Sequence, residues 1–163
     1  MTNVKIQLKP INAQNLNACE RLFVKADQRQ YIADNAKSLK DAEDVPEVAR
    51  PFAIYANDQL VGFTMFAFDE NNEDPDDKYW LWRFMIDEKE QGKGYGKAAL
   101  EEIIGYFKRH GADTVTLSTK ETNKTALDLY HSFGFRENGQ WNNDEIVLKL
   151  ALQENNDHLP EVT

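Results

Sequence analysis

The sequence predicts an α/β domain built on a mixed sheet, and three observations in its 163 residues carry that expectation. Apolar patterns of period two and period 3.6 succeed one another in the order β-α-α-β-β-β-α-β-α-β-β. Three strand-like segments run together through the middle of the chain. A glycine-rich turn, Gln91-Gly92-Lys93-Gly94-Tyr95-Gly96, then joins an apolar strand to an amphipathic helix. The length suits one domain, and 41% hydrophobic content suffices for its core. That domain is expected over residues 1–150, with 151–163 as a flexible acidic tail.

Val4, Ile6 and Leu8 alternate as a short strand with one buried face. Leu16, Cys19, Leu22, Phe23 and Ala26 recur at helical spacing, which predicts a first helix starting near Asn12 or Asn15. Residues 28–47 are less regular; Ser38 with Asp41 three positions on is a helix-start signal, and Pro46 ends the helix that would begin there. Phe52–Ala56 and Leu60–Phe68 flank Asn57-Asp58 as a tight hairpin, and Tyr79–Ile86 is a third strand. Leu100, Ile103, Ile104 and Phe107 mark one face of a helix that ends at His110-Gly111. Thr114–Ser118 reads as a strand, residues 123–132 as a helix broken at Gly134, and Phe135–Trp141 with Glu145–Leu150 as a closing hairpin over Asn142-Asn143-Asp144.

Bulk properties narrow the function. A net charge of −9 argues against nucleic acid as a partner. The acidity is local: six acids and no base lie in residues 69–77, and three acids and no base in 151–163. No stretch approaches the roughly 18 consecutive apolar residues of a membrane span, and the alternating start MTNVKIQLKP does not read as a secretory signal. The lone Cys19 fits a reducing cytoplasm and, on the apolar face of the first helix, reads as core filler rather than nucleophile.

Strand, glycine-rich turn, helix is the arrangement in which a helix N-terminus offers free amides and a positive dipole end to phosphate. Two common phosphate loops are excluded. A dinucleotide fingerprint needs glycine where Lys97 stands, and a P-loop needs Ser or Thr where Ala98 stands. Taken alone, three alternating glycines fit a flexible loop equally well.

A second pattern lies about thirty residues downstream. Gln91, Gly94 and Gly96, followed by Asn123, Ala126, Leu129, Tyr130, Gly134 and Phe135, resemble the paired motifs of the GNAT superfamily of N-acetyltransferases. The resemblance spans residues 4 to about 150. It implies a mixed, mostly antiparallel sheet of six to seven strands flanked by about four helices. It also implies acetyl-CoA as cosubstrate and no metal. The backbone of Phe84, Met85 and Ile86 would bind the pantetheine arm. Gln91, Gly92, Lys93, Gly94, Tyr95, Gly96 and Lys97 would hold the pyrophosphate. Asn123 would contact the cofactor arm, although at a helix start it could equally cap. Tyr130 would be the general acid that protonates the departing thiolate, with a core aromatic as its alternative role.

One departure is visible: where many relatives carry Lys or Arg for the adenosine phosphates, this chain has Ser132, with His131 beside it uncommitted. The general base is not fixed by the motifs. Trp80, Leu81, Trp82 and Arg83 leave mid-strand without a carboxylate, and Glu20, Asp34 and Glu145 are candidates, each also readable as a solvated surface acid.

For the acceptor, Gln30–Asn35, Ser38-Leu39 with Ala42, and Tyr79–Asp87 resemble the bacterial branch that includes spermine/spermidine (diamine) acetyltransferases. That likeness implies a polyamine acceptor. Another small amine, a protein N-terminus, or acyl-CoA binding without turnover remain open. The acidic loop lies about eight strand residues, at ~3.3 Å each, from the glycine turn. A homodimer partner is what could bring it back to an active site.

Overall fold

The computed structural model describes residues 4–31 and 33–152, so Ile32 of the acceptor-side segment and the expected tail from residue 153 lie outside the described residues. Seven strands, β1 (Ile6–Pro10), β2 (Ala49–Ala56), β3 (Gln59–Phe68), β4 (Tyr79–Ile86), β5 (Thr114–Thr119), β6 (Arg136–Asn142) and β7 (Glu145–Ala151), form one sheet in the order β1-β2-β3-β4-β5-β7-β6. Every neighbouring pair is antiparallel except β4 with β5. Four helices, α1 (Leu16–Glu20), α2 (Asn35–Asp44), α3 (Tyr95–Arg109) and α4 (Lys124–Ser132), complete the expected α/β architecture. Among the described residues, no helix is long and apolar enough to cross a membrane.

The β2–β3 hairpin turns at Asn57 (φ 50°) and Asp58 (φ 72°), the left-handed pair that matches the twist of the flanking strands. Helical periodicity then places the core. Leu100, Ile103 and Phe107 of α3 and Leu127 and Tyr130 of α4 pack with Phe66, Phe68, Leu81, Val115, Leu117 and Leu148. Cys19 of α1 and Ala42 of α2 join a separate cluster with Ala53, Phe63, Met65 and Met85. Desolvation, helped by neighbouring Glu20, pushes the wholly buried Cys19 thiol up to about 11, so Cys19 packs as a neutral side chain.

The two N-terminal helices depart from expectation. The first stops at Glu20 instead of continuing to Ala26. The reason is a set of longer-range bonds: the Phe23 amide donates to Asp87 Oδ1 (3.0 Å), and the Glu88 amide donates to the Phe23 carbonyl (2.8 Å). These bonds draw the chain out of helical register, and residues 26–31 form a 3-10 turn. The second helix begins one turn before Ser38. Asp34 caps it, accepting from the Lys37 amide at 2.8 Å. Ser38 and Asp41, read from sequence as a start signal, both turn to Arg83 instead.

Candidate active site

β4 and β5 are registered at a single position, Trp80 opposite Thr116, and diverge beyond it. The opening between them belongs to a cavity of about 560 Å³. Its walls include Trp80–Ile86 of β4, Leu117–Thr119 of β5, Gln91, Gly92 and Tyr130. The pairing of β4 with β3 decides which backbone groups face the gap. The Asp87 amide donates to the Val61 carbonyl (2.8 Å), so in this register Met85 exchanges main-chain bonds with Phe63, while Phe84 and Ile86 point theirs away from β3. The Ile86 carbonyl accepts from Gln91 Nε2 at 2.8 Å. The amide and carbonyl of Phe84 and the amide of Ile86 are therefore turned toward the gap. Met85, expected to offer its backbone there, is paired with Phe63 in this register, and it is among the residues that line the cavity.

The glycine turn does two things. Gly92 (φ 80°) and Gly94 (φ 86°) adopt left-handed conformations, and a Cβ on either would meet nothing within 4 Å. Glycine serves backbone conformation there and leaves open space outside the turn. Gly96 lies within α3, where a Cβ would only touch Ile86 Cγ1 at 4.0 Å. The first ladder bond of α3 runs from the Ala98 amide to the Gly94 carbonyl (3.2 Å), leaving the amides of Tyr95, Gly96 and Lys97 ahead of the ladder. Gln91 Nε2 bridges Ile86 to Gln28 Oε1 (3.1 Å) and so ties the turn to the 3-10 turn of residues 26–31. Lys93 pairs with Glu90 at 3.0 Å, and this bond holds its pKa above the ordinary value. Tyr95 packs beside Ile54, Ile86 and Ala99, while Lys97 is exposed at the cavity edge.

On α4, Asn123 occupies the cap position without a side-chain cap bond; its Nδ2 donates to Thr119 Oγ1 at 3.1 Å. Tyr130 is both a core residue, 5.5 Å from the Phe135 ring, and part of the cavity wall. Burial pushes its phenol pKa upward, so the side chain is held in its neutral form. Ser132 donates to the Leu129 carbonyl (2.6 Å), and His131 is engaged after all, 3.0 Å from Glu137.

The expected acceptor side is built from residues distant in sequence. Arg83 donates to Ser38 Oγ and to Asp41 Oδ2, each at 3.1 Å. Burial lowers the guanidinium pKa, with Asp41 and then Glu145 acting against that shift. Tyr31 donates to the Thr122 carbonyl at 3.2 Å, linking the segment before α2 to the start of α4. Of the three candidate bases, Glu20 is exposed outside the cavity walls and Asp34 is occupied as a cap. Only Glu145 lines the cavity, accepting from Ser118 Oγ at 2.7 Å.

Sequence reasoning missed a second cavity, of about 600 Å³, which shares Trp80, Trp82 and Asn142 with the first. Asp74, Asp76, Asp77 and the exposed Trp141 also line it. The acidic loop thus adjoins the first cavity within a single chain, without a dimer partner. Its acids are partly engaged: Asp77 accepts from the Trp80 indole at 3.3 Å, and Asp76 pairs with Lys149. The tryptophans were a usable signal only with knowledge that Trp141 of β6, beyond β7 at the sheet edge, lines the same cavity as Trp80 and Trp82 of β4.

Residues 13–135 match the model of the acetyltransferase (GNAT) family. The spermine/spermidine N(1)-acetyltransferase of Bacillus subtilis is 34% identical over 153 residues, covering 90% of this chain and 99% of that protein. Among solved structures, a Bacillus subtilis acetyltransferase in complex with CoA superposes with TM-score 0.66 at 20% identity, covering 92% of this chain and 99% of that one. A Vibrio cholerae spermidine N-acetyltransferase in complex with CoA and spermine gives TM-score 0.69 at 17% identity, over 91% and 96% of the two chains. At these identities the two structures speak for a shared fold.

Proposed function

The chain belongs to the acetyltransferase (GNAT) family and is an N-acetyltransferase, and from that premise we propose that it moves an acetyl group from acetyl-CoA to a polyamine by direct attack of the amine. The observation that carries the donor half is the convergence on one cavity of three things: the β4–β5 gap, the unladdered amides of α3, and a proton-bearing tyrosine. The open space outside Gly92 and Gly94 and the outward-turned main chain of Phe84 and Ile86 fit a ligand with a phosphate end and an amide-bearing arm.

The backbone amides of Tyr95, Gly96 and Lys97, at the positive end of the α3 dipole, would hold the pyrophosphate. Phe84 and Ile86 would pair the arm as an added strand pairs a sheet edge. The bound thioester supplies an activated acyl carbon. Tyr130, kept neutral by burial, gives its proton to the departing sulfur. Removing that proton source would leave a poor leaving group at the step where the carbon–sulfur bond breaks.

Two observations support a polyamine as acceptor. The Bacillus relative matched over almost its whole length is named for spermine and spermidine. The first cavity opens beside a groove that combines indole faces with carboxylates, a chemistry suited to an extended polycation. Among the described residues, the first cavity is lined by one carboxylate, Glu145, against Arg83 and Lys97. The test is thiol release from acetyl-CoA with spermidine, spermine, an aminoglycoside and a free-N-terminus peptide. Polyamines are expected to give the highest kcat/KM; equal rates with the peptide would remove the polyamine while leaving acetyl transfer in place.

A further inference from the structure

We infer that Glu145 is the residue that receives the attacking amine, binding it as an ammonium and then taking its proton. This rests on the acetyl-transfer reading and supplies the group that reading lacks. An alkylamine with a pKa near that of lysine, ~10, is almost wholly protonated at neutral pH and has no lone pair to attack with until a base removes a proton. The strand along the cavity offers none: Trp80, Leu81, Trp82 and Arg83 contain no carboxylate. The carboxylate arrives from a different strand.

Glu145 opens β7, next to the end of β5, and Ser118 of β5 fixes it with a 2.7 Å bond to Oε1. Ser118 lies two residues beyond Thr116, the one point at which β4 and β5 are in register. Glu145 is thus anchored near the apex of the gap. Ser118 is itself oriented by Asn142, whose Nδ2 donates to Ser118 Oγ at 3.2 Å. Among the described residues, Ser118 is the one hydrogen-bond donor to the Glu145 carboxylate, leaving acceptor capacity for an amine. Arg83, clamped by Ser38 and Asp41, lines the same cavity and contributes positive charge to it. Tyr130 lines the same cavity, so a proton acceptor and a proton donor stand around one space.

The step balances. The ammonium proton passes to Glu145, and the nitrogen lone pair forms the carbon–nitrogen bond as the carbon–sulfur bond breaks. The sulfur takes the Tyr130 proton, the second nitrogen proton restores the tyrosine hydroxyl, and Glu145 releases its proton to solvent. Ammonium and thioester become amide, thiol and one proton.

Glu145→Gln is the decisive variant, because the amide oxygen can still accept from Ser118. It is expected to lower kcat/KM for spermidine by roughly 10²–10³-fold, within the range for a positioned base. Calorimetric affinity for spermidine without acetyl-CoA should fall about tenfold, as for loss of a charge-assisted bond. Affinity for acetyl-CoA should stay unchanged. An alkoxyamine acceptor, already neutral at neutral pH, should be acetylated by the variant at close to the wild-type rate. Wild-type turnover of spermidine by the variant, or an equal loss with the alkoxyamine, overturns the inference. Should Glu145→Gln not fold, Glu145→Asp keeps the carboxylate at shorter reach. It should lose spermidine turnover partially and alkoxyamine turnover not at all, and uniform loss overturns the inference. A wild-type enzyme that releases no thiol with any amine defeats the acetyl-transfer reading instead, and the calorimetric arm still decides whether Glu145 holds the amine.

Discussion

The cavity has two halves built in opposite ways. On one side, β4, the turn at Gln91–Gly96, α3 and α4 are regular elements, and the groups they would present to the proposed donor are chiefly main-chain: the amides ahead of the α3 ladder and the outward edge of β4. On the other, residues 16–45 form a five-residue helix, a 3-10 turn and a ten-residue helix, held by side chains that reach across the molecule. Asn35 donates to the Cys19 carbonyl at 2.7 Å, Asp87 receives the Phe23 amide, and Arg83 clamps Ser38 and Asp41. A phosphate-and-amide ligand can be recognised by backbone alone, whereas an amine needs carboxylates and aromatic faces placed individually. The difference predicts where substitutions act on chemistry, on donor affinity, on stability and on acceptor choice.

The largest effect belongs where the halves meet. Tyr130→Phe preserves the packing against Phe135 but removes the proton, so kcat is expected to fall by roughly 10²–10⁴-fold with acetyl-CoA affinity unchanged. The same variant should flatten the alkaline stability profile. Burial raises the folded-state pKa above the unfolded value of ~10. Wild-type stability contributed by this group is therefore intact below ~10 and declines as pH rises beyond it, by at most ~1.4 kcal/mol per pH unit. Normal turnover in the variant would make Tyr130 a packing residue.

Next comes the backbone half. Gly94→Asp places a like charge at the proposed pyrophosphate site and a side chain on a left-handed residue. Affinity for acetyl-CoA should drop by at least about 100-fold in calorimetry, the scale of a like-charge clash at an interface. A folded variant with unchanged affinity would detach the turn from the donor.

A smaller effect tests the side-chain half. Asp41→Asn leaves Arg83, whose side chain is 17% exposed, without its charged partner. Urea unfolding should show a loss of about 1–2 kcal/mol, moderated by the remaining bond to Ser38, with donor affinity unaffected. Weakened acetyl-CoA binding in this variant would mean that the halves are coupled rather than separately built.

The same division between local and long-range bonding governs how much of the molecule is legible in its sequence. Strand alternation, the α3 face and the Gly94 turn are local, and each shows in a window of a few residues. α4 is legible for the same reason, with Asn123 and Tyr130 at fixed spacing. The end of α1 is not legible, because Leu22 and Phe23 keep helical spacing while their backbone answers to Asp87 and Glu88 far along the chain. Ser38 and Asp41 mislead for a related reason: one turn apart on a helix, they form a clamp for Arg83 as readily as a cap. Glu145 carries no local mark at all. Its place in the cavity depends on the pairing of β7 with β5, and the second cavity likewise depends on three tryptophans, at 80, 82 and 141, meeting through sheet order.

The smallest effect concerns that second cavity and is the most informative about the acceptor. If a polyamine reacts at one amine beside Glu145, its remaining amines extend along whatever adjoins the first cavity, and the shared walls are Trp80, Trp82 and Asn142. Asp77 is exposed there, bonded to the Trp80 indole, and an ammonium could take up its remaining oxygen while resting on an indole face. Such attraction between partly exposed charges is screened beyond ~8 Å at physiological ionic strength, so the KM for spermine should rise a few-fold between low and high salt. A monoamine of similar alkyl length, bound only at Glu145, should show a weaker dependence. Asp77→Asn should then narrow the gap between spermine and the monoamine, by about a factor of two to five for one exposed pair. Its kcat should stay at the wild-type value, since the groove lies away from the breaking bond. A salt response that is identical for spermine and the monoamine, and untouched in Asp77→Asn, would confine acceptor recognition to the first cavity and leave the indole-walled groove without a part in it.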